Sequence, residues 1–227
     1  MTALIPNYKE FIGDGSRDAK GKTLEEFLLS YDPYKYKTPA VTADIVVLKE
    51  DGKEGGNTGL KVLLVKRKNH PCIGMWALPG GFAEMEESLE ESAQRELFEE
   101  TGVTGTKVIQ LHTWGDPYRD PRGRVITVSF LAYLTGDVVV KAGDDAKEAA
   151  FASVSCRLLA TAHTEEETVE SYEISLSNEE AGIDGMAVVR VTTANKPLKN
   201  KSYEIVNGRG IDFDHEKIIL NSLEKCL

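Results

Sequence analysis

Apolar residues fall along this chain in short runs of strand length, bounded by glycine, proline, asparagine and aspartate, and only a few stretches show helical spacing. Residues 41–48 and 60–67 are rich in β-branched side chains and are separated by Asp51-Gly-Lys-Glu-Gly-Gly-Asn-Thr-Gly59, which suits a turn. The pattern predicts a strand, a loop and a strand. Residues 108–114 and 125–134 read as two further strands joined by the Pro-, Asp- and Arg-rich loop 115–123, and residues 138–141 as another. Residues 76–79 read as a short extended segment. Leu24, Phe27 and Leu28 lie at helical spacing behind Thr23, predicting a short amphipathic helix over 23–30 after a loosely structured leader, 1–22. Residues 88–101 are strong helix formers, and Gly102 stands where a helix C-terminus favours a left-handed residue. Near 172–176, 186–193 and 202–206 three β-like runs predict an added hairpin region, and residues 214–226 predict a closing helix behind an Asp214 cap. The expectation is an α/β fold in one elaborated domain. Its parts are a leader and helix (1–40), a core (41–154), a β-rich insertion (155–206) and a C-terminal helix (207–227).

At 227 residues, 41% hydrophobic, the chain is long enough to bury a core. The longest apolar runs, such as 45–48 and 62–65, fall far short of the ~18 to 20 residues that cross a bilayer. The first ten residues lack a basic stretch followed by an apolar one, so a cytosolic location is the expectation. Cys72, Cys156 and Cys226 are odd in number, far apart and without a C-x-x-C pair, which argues against disulfides or a zinc knuckle. The formal charge of −10 disfavours a nucleic-acid backbone as partner. That charge is concentrated: residues 84–100 hold eight Glu and a single Arg, or −7 of the total.

On a helix, Glu96, Glu99 and Glu100 fall within roughly 100° of one face and about 6 Å of axial length, so the spacing predicts three carboxylates converging on one point. Such crowding calls for a cation, and hard oxygen ligands suit Mg²⁺ or Mn²⁺. Arg95 points to another side, where Glu87, Glu91 and Glu99 are its available partners. A run of Glu is ordinarily a solvated helix face. Here the surrounding spacing argues otherwise. Residues 81–103, Gly-Phe-Ala-Glu-Met-Glu-Glu-Ser-Leu-Glu-Glu-Ser-Ala-Gln-Arg-Glu-Leu-Phe-Glu-Glu-Thr-Gly-Val, match G-x5-E-x7-R-E-U-x-E-E-x-G-U, with U aliphatic, at every specified position. A chance match in a chain of this length has a probability on the order of 10⁻⁷ or less. The segment resembles the signature of the Nudix hydrolases.

The resemblance implies an α/β/α sandwich, a mixed sheet with the signature helix on one side and the C-terminal helix on the other. It implies a metal-dependent hydrolase of a nucleoside diphosphate linked to another group. Glu96, Glu99 and Glu100 would be metal ligands, the backbone carbonyl of Gly80 would complete the shell, and Glu87 would partner Arg95. A further acidic base outside the signature has candidates in Asp144, Asp145 and Glu148, although Gly-Asp-Asp is equally a routine turn. Residues 24–28, 31–34, 76–82, 116–126 and 213–219 further resemble ADP-ribose-type members of the family, above all the relatives that include transcriptional regulators of NAD metabolism. Pro117 lies about fifteen residues past the signature, where ADP-ribose pyrophosphatases commonly have a proline. With Gly81, Arg119, Arg122 and Arg124 it makes up the expected substrate-binding set. The three arginines suit a phosphate clamp and suit pairing with Asp116 and Asp120 equally well. Trp76, Trp114 and Tyr118 are candidates to stack an adenine, with core or rim packing the favoured reading. His112 and His215 have no metal-spaced partner and read as structural.

The favoured function is therefore hydrolysis of ADP-ribose to AMP and ribose 5-phosphate by a cytoplasmic, Mg²⁺- or Mn²⁺-dependent enzyme, a homodimer by family likeness. The alternative is a module that senses ADP-ribose-like ligands. The regulators in the family carry a winged-helix DNA-binding domain after the Phe-Asp-His helix, and no basic helix of that kind stands before Leu227. Neither nucleic acid nor membrane is an expected partner of this chain.

Overall fold

The computed structural model describes residues 7–51, 57–136, 138–143, 146–195, 197 and 199–226. Leader residues 1–6, loop residues 52–56 and the candidate bases Asp144 and Asp145 lie outside the described residues. The chain divides into two compact units, Met1–Pro39 and Ala40–Leu227. In the first, a 3₁₀ turn (Tyr8–Phe11) precedes α1 (Leu24–Ser30). Thr23 and Glu26 cap α1 reciprocally, each side chain bonding the other's backbone, and Arg17 pairs with Glu26 at 2.8 Å.

The second unit is built on β1 (Ala40–Glu50), β2 (Leu60–Arg67), β3 (Trp76–Ala77), β4 (Gly80–Phe82), α2 (Leu89–Thr101), β5 (Val108–Trp114), β6 (Val125–Leu134), β7 (Ala146–His163), β8 (Glu167–Asn178), β9 (Ile183–Ala194), β10 (Lys201–Arg209) and α3 (His215–Leu223). Among the described residues the strands form one sheet in the order β10-β9-β8-β7-β2-β1-β6-β5, with β3 on β2 and β4 on β1. β1 and β6 run parallel and the other pairs antiparallel, so the sheet is mixed.

Alternation along β1 divides the core between the two faces of the sheet. Ala43, Ile45 and Val47 face Ala93 and Leu97 of α2, whereas Val46 and Leu48 belong to the cluster that holds Ile218, Ile219, Leu220 and Leu223 of α3. The two helices thus cover opposite faces, and the architecture is an α/β/α sandwich. β1 and β2 pair only at their far ends, Leu48↔Val62 to Glu50↔Leu60. Below that point they separate, and the segment carrying β3 and β4 wedges between them, Trp76 against Lys66 and Gly80 against Asp44. The fork is where the site lies.

Three readings of the sequence change here. Residues 138–141 do not form a strand; the Lys141 and Gly143 amides instead donate to the carbonyls of Thr101 and Glu100, finishing the C-terminus of α2. The three β-like runs of 155–206 are present as β8, β9 and β10, but they are not a separate hairpin: β7, unread in the sequence, carries the sheet outward from β2 and supplies the edge on which they add. Its alanine-rich start is a weak strand signal, and pairing on both sides overrides local propensity. At α3, Asp214 makes no cap bond with its side chain, because the carboxylate is taken by Arg119 and Lys217.

Candidate active site

α2 is capped by Ser88 and Glu91 in a reciprocal pair, so Glu91 serves the helix start rather than Arg95. The helix ends at Gly102, whose φ of 72° is left-handed. Ala93 and Leu97 are buried beneath it, which turns Arg95, Glu96 and Glu99 toward β4 and solvent. Arg95 is the knot of the signature. Its Nε donates to Glu87 at 2.9 Å, its Nη1 to Glu96 at 2.7 Å and to Glu99 at 3.1 Å, and its Nη2 to the Phe82 carbonyl at 3.1 Å. Ser92 donates to the other oxygen of Glu87. The Arg95 guanidinium and the Ser92 hydroxyl hold the Glu87 carboxyl below the usual carboxylate range.

Glu100 turns under the wedge and accepts the Gly80 amide at 2.9 Å. Burial, helped by the charges of Glu96 and Asp44, pushes its carboxyl up to about 7. Burial raises Glu96 as well, against the pull of Arg95. The two glycines make this approach possible: a β-carbon on Gly80 would overlap the Ala43 carbonyl, and one on Gly81 the Glu96 carboxylate. Glu96, Glu99 and Glu100 all border one neighbouring cavity, although among the described residues no group of three or more His, Cys, Asp or Glu side chains is close enough to hold a metal ion. Glu99 is held outward by Arg95 and is half-exposed. The donors suit a hard divalent cation, since all are oxygens and a bound cation would offset both the burial and the neighbouring charges that raise Glu100.

These groups line a cavity of about 420 Å³, within the range of small-ligand sites. Glu96, Glu100, Gly80, Gly81, Arg95, Arg119 and Arg122 border it, and Glu87, Glu99, Pro117, Arg124 and Glu148 do not. Glu148 pairs at 3.1 Å with Lys66, which does line the cavity. Pairing is what the structure shows of the three arginines, two of which also border the cavity. Arg119 is buried, bonded to Thr127 and to Asp214 at 2.6 Å, Arg122 forms a fork with Asp120 at 2.7 Å, and Arg124 donates to the Asp116 carbonyl. Trp76 and Trp114 are core residues, and Tyr118 is 98% exposed, outside the cavity.

Asp44, Arg67, Phe213 and His215 also line the cavity, and the sequence reading did not place them there. A lone acid within the apolar run Val41–Thr–Ala–Asp–Ile–Val–Val–Leu48 was the available signal for Asp44. His215 Nδ1 accepts the Leu78 amide at 2.9 Å, so its Nε2 carries the proton and lies 3.8 Å from Asp44. Burial lowers its pKa and keeps it neutral. Its structural reading stands, with the addition that what it holds is the wedge of the site.

Comparison with known proteins agrees with this geometry. A family model described as NUDIX domain matches residues 38–171. The chain is 45% identical over 116 residues to an ADP-ribose pyrophosphatase of Methanocaldococcus jannaschii, covering 51% of this chain and 63% of that protein. It is 35% identical over 112 residues to an ADPR responsive transcriptional repressor, NtrR, of Acinetobacter baylyi, covering 48% and 43%. The chain thus spans less than two thirds of the length of these relatives. Among solved structures, a MutT/nudix family protein from Enterococcus faecalis superposes with a TM-score of 0.64 at 32% identity, covering 98% of this chain and 75% of that one. The NUDIX domain of Shewanella oneidensis NrtR, complexed with ADP ribose, superposes with a TM-score of 0.52 at 35% identity, covering 57% and 82%. With its signature helix, forked sheet and matched residues 38–171, this chain belongs to the Nudix family.

Proposed function

We propose that this protein hydrolyses the pyrophosphate bond of ADP-ribose, giving AMP and ribose 5-phosphate, with Mg²⁺ or Mn²⁺ as cofactor. The observation that carries the reading is one cavity bordered at once by Glu96 and Glu100 and by Arg67, Arg119 and Arg122, so that oxygen ligands and guanidiniums face the same space. The 45% identity to an ADP-ribose pyrophosphatase supports the choice of substrate. Glu96, Glu99, Glu100 and the Gly80 carbonyl would hold the cation, which when bound polarises phosphoryl oxygens and lowers the pKa of a bound water. Arg95 keeps Glu87, Glu96 and Glu99 in place and ties α2 to the Phe82 carbonyl. Arg119, fixed by Asp214, places a positive charge at the diphosphate end with little freedom left to lose. The chain acts as one elaborated domain, 1–227, in the cytoplasm, consistent with free thiols at Cys72, Cys156 and Cys226. Family likeness supports a homodimer.

Incubation of the purified protein with Mg²⁺ and ADP-ribose is expected to yield AMP and ribose 5-phosphate in equal amounts. Glu100→Gln should lower turnover by about 100-fold or more while preserving the circular-dichroism spectrum. Undiminished turnover in that variant would overturn the proposal, and ADP-ribose binding with no turnover in excess Mg²⁺ would support ligand sensing in its place.

A further inference from the structure

The same cavity has an aromatic wall that the chemistry of pyrophosphate hydrolysis does not use. Phe82, at the end of β4, leaves 44% of its surface exposed, a large apolar ring kept in water beside the site. The Arg122 guanidinium lies 4.9 Å from the centroid of the Phe82 ring and 5.8 Å from that of Phe213. Arg67 lies 5.3 Å from the Phe213 centroid on the same wall. Phe213 reaches this position with φ of 51°, a left-handed backbone that a bulky residue adopts at a cost and only where its surroundings require it.

One edge of the Arg122 guanidinium and the Nε of Arg67 are already engaged. Arg122 bonds Asp120 through Nε and Nη2, at 3.0 and 2.7 Å, and its own amide donates to the same carboxylate at 2.8 Å. Arg67 Nε meets Asp212 at 2.9 Å and the Pro71 carbonyl at 2.7 Å. With Nε and Nη2 of Arg122 on Asp120, its charge is compensated and its guanidinium is held over the two rings. Two phenyl rings and two guanidinium planes make a surface suited to a planar, polarisable ring.

We infer that Phe82, Arg122 and Phe213 form the subsite for the nucleobase of the substrate, holding it by stacking. The inference rests on the hydrolase reading for its choice of a nucleotide, yet concerns binding alone and is read separately. Equilibrium binding of AMP and of ribose 5-phosphate to the full chain distinguishes a base-bearing from a base-free phosphate. Phe82→Leu keeps an apolar side chain and removes the ring, and should weaken AMP binding by about 5- to 100-fold, the range of a lost base–aromatic stack, with ribose 5-phosphate changed less than twofold. Phe82→Trp should restore AMP binding. An AMP affinity within twofold of the parent in Phe82→Leu, equal weakening of both ligands, or a parent protein that binds no AMP would overturn the inference. Phe82-dependent AMP binding in a protein that does not cleave ADP-ribose would keep the subsite and remove the hydrolase reading.

Discussion

At the scale of single residues, the site depends as much on missing side chains as on charged ones. Gly81 leaves the space that the Glu96 carboxylate fills, and Gly80 lets its strand pass directly over Ala43 and Asp44. Gly81→Ala is therefore expected to displace Glu96 and lower kcat at least tenfold while costing little stability, because Gly81 is only partly buried and the group in its way is the end of a flexible side chain. Steady-state kinetics beside a denaturant melt checks this; an unchanged kcat would show that the Glu96 position is not required. The same crowding was legible in the signature, where Gly81 and Glu96 both stand at specified positions. Asp44 and His215 were less legible. Each sits in an otherwise ordinary element, and only the close approach of β1, the wedge and α3 gives them the same neighbour.

At the scale of elements, α3 shows how a short helix ties several others together. Successive residues at its start reach Arg67 (Asp212), Arg122 (Phe213), Arg119 (Asp214) and the Leu78 amide (His215), and Lys217 reaches Asp116. The residue between His215 and Lys217 is the exception. Glu216 is 2% exposed, has an oxygen with no partner, and burial pushes its carboxyl up to about 7. The folded state therefore holds this proton more tightly than the unfolded state, whose Glu titrates near 4.3. Stability is undiminished by this group below the unfolded pKa, falls as pH rises between the two values, and bears the full cost of ionisation above about 7. Glu216→Gln should accordingly add stability at pH 8, by about 4 kcal/mol at most, and much less at pH 4.5. Urea melts at the two pH values test this, and an equal difference at both would show that Glu216 is not the titrating group.

At the scale of the whole molecule, the four strands from β7 to β10 are part of the core rather than an ornament on it. Ala152, Val154, Ile174, Leu176, Val189, Val191 and Tyr203 are buried in the cluster that also holds α3. Removing residues 155–206 would take Ile174, Leu176, Val189, Val191 and Tyr203 out of that cluster and uncover the side of α3 that packs on β9 and β10, so the shortened chain is expected to lose its cooperative thermal transition; a retained sharp transition would contradict this. Leu176→Ala, a milder change, should cost about 2 to 5 kcal/mol. The sequence by itself determined the elements whose signals are local: α2 with its Ser88 start and Gly102 end, the strands β1, β2, β5 and β6, and the signature that joins Arg95 to its carboxylates, since capping, periodicity and i,i+4 spacing act within a few residues. Only the tertiary structure decided that β7 is a strand, that β8 to β10 extend the same sheet, that Glu100 turns to Gly80, and that Phe82 meets Arg122. Those outcomes follow from pairing and burial between residues far apart in the chain, as Leu78 and His215 are at 137 positions, and the free energy of such contacts is set by which surfaces meet rather than by any pattern within one segment.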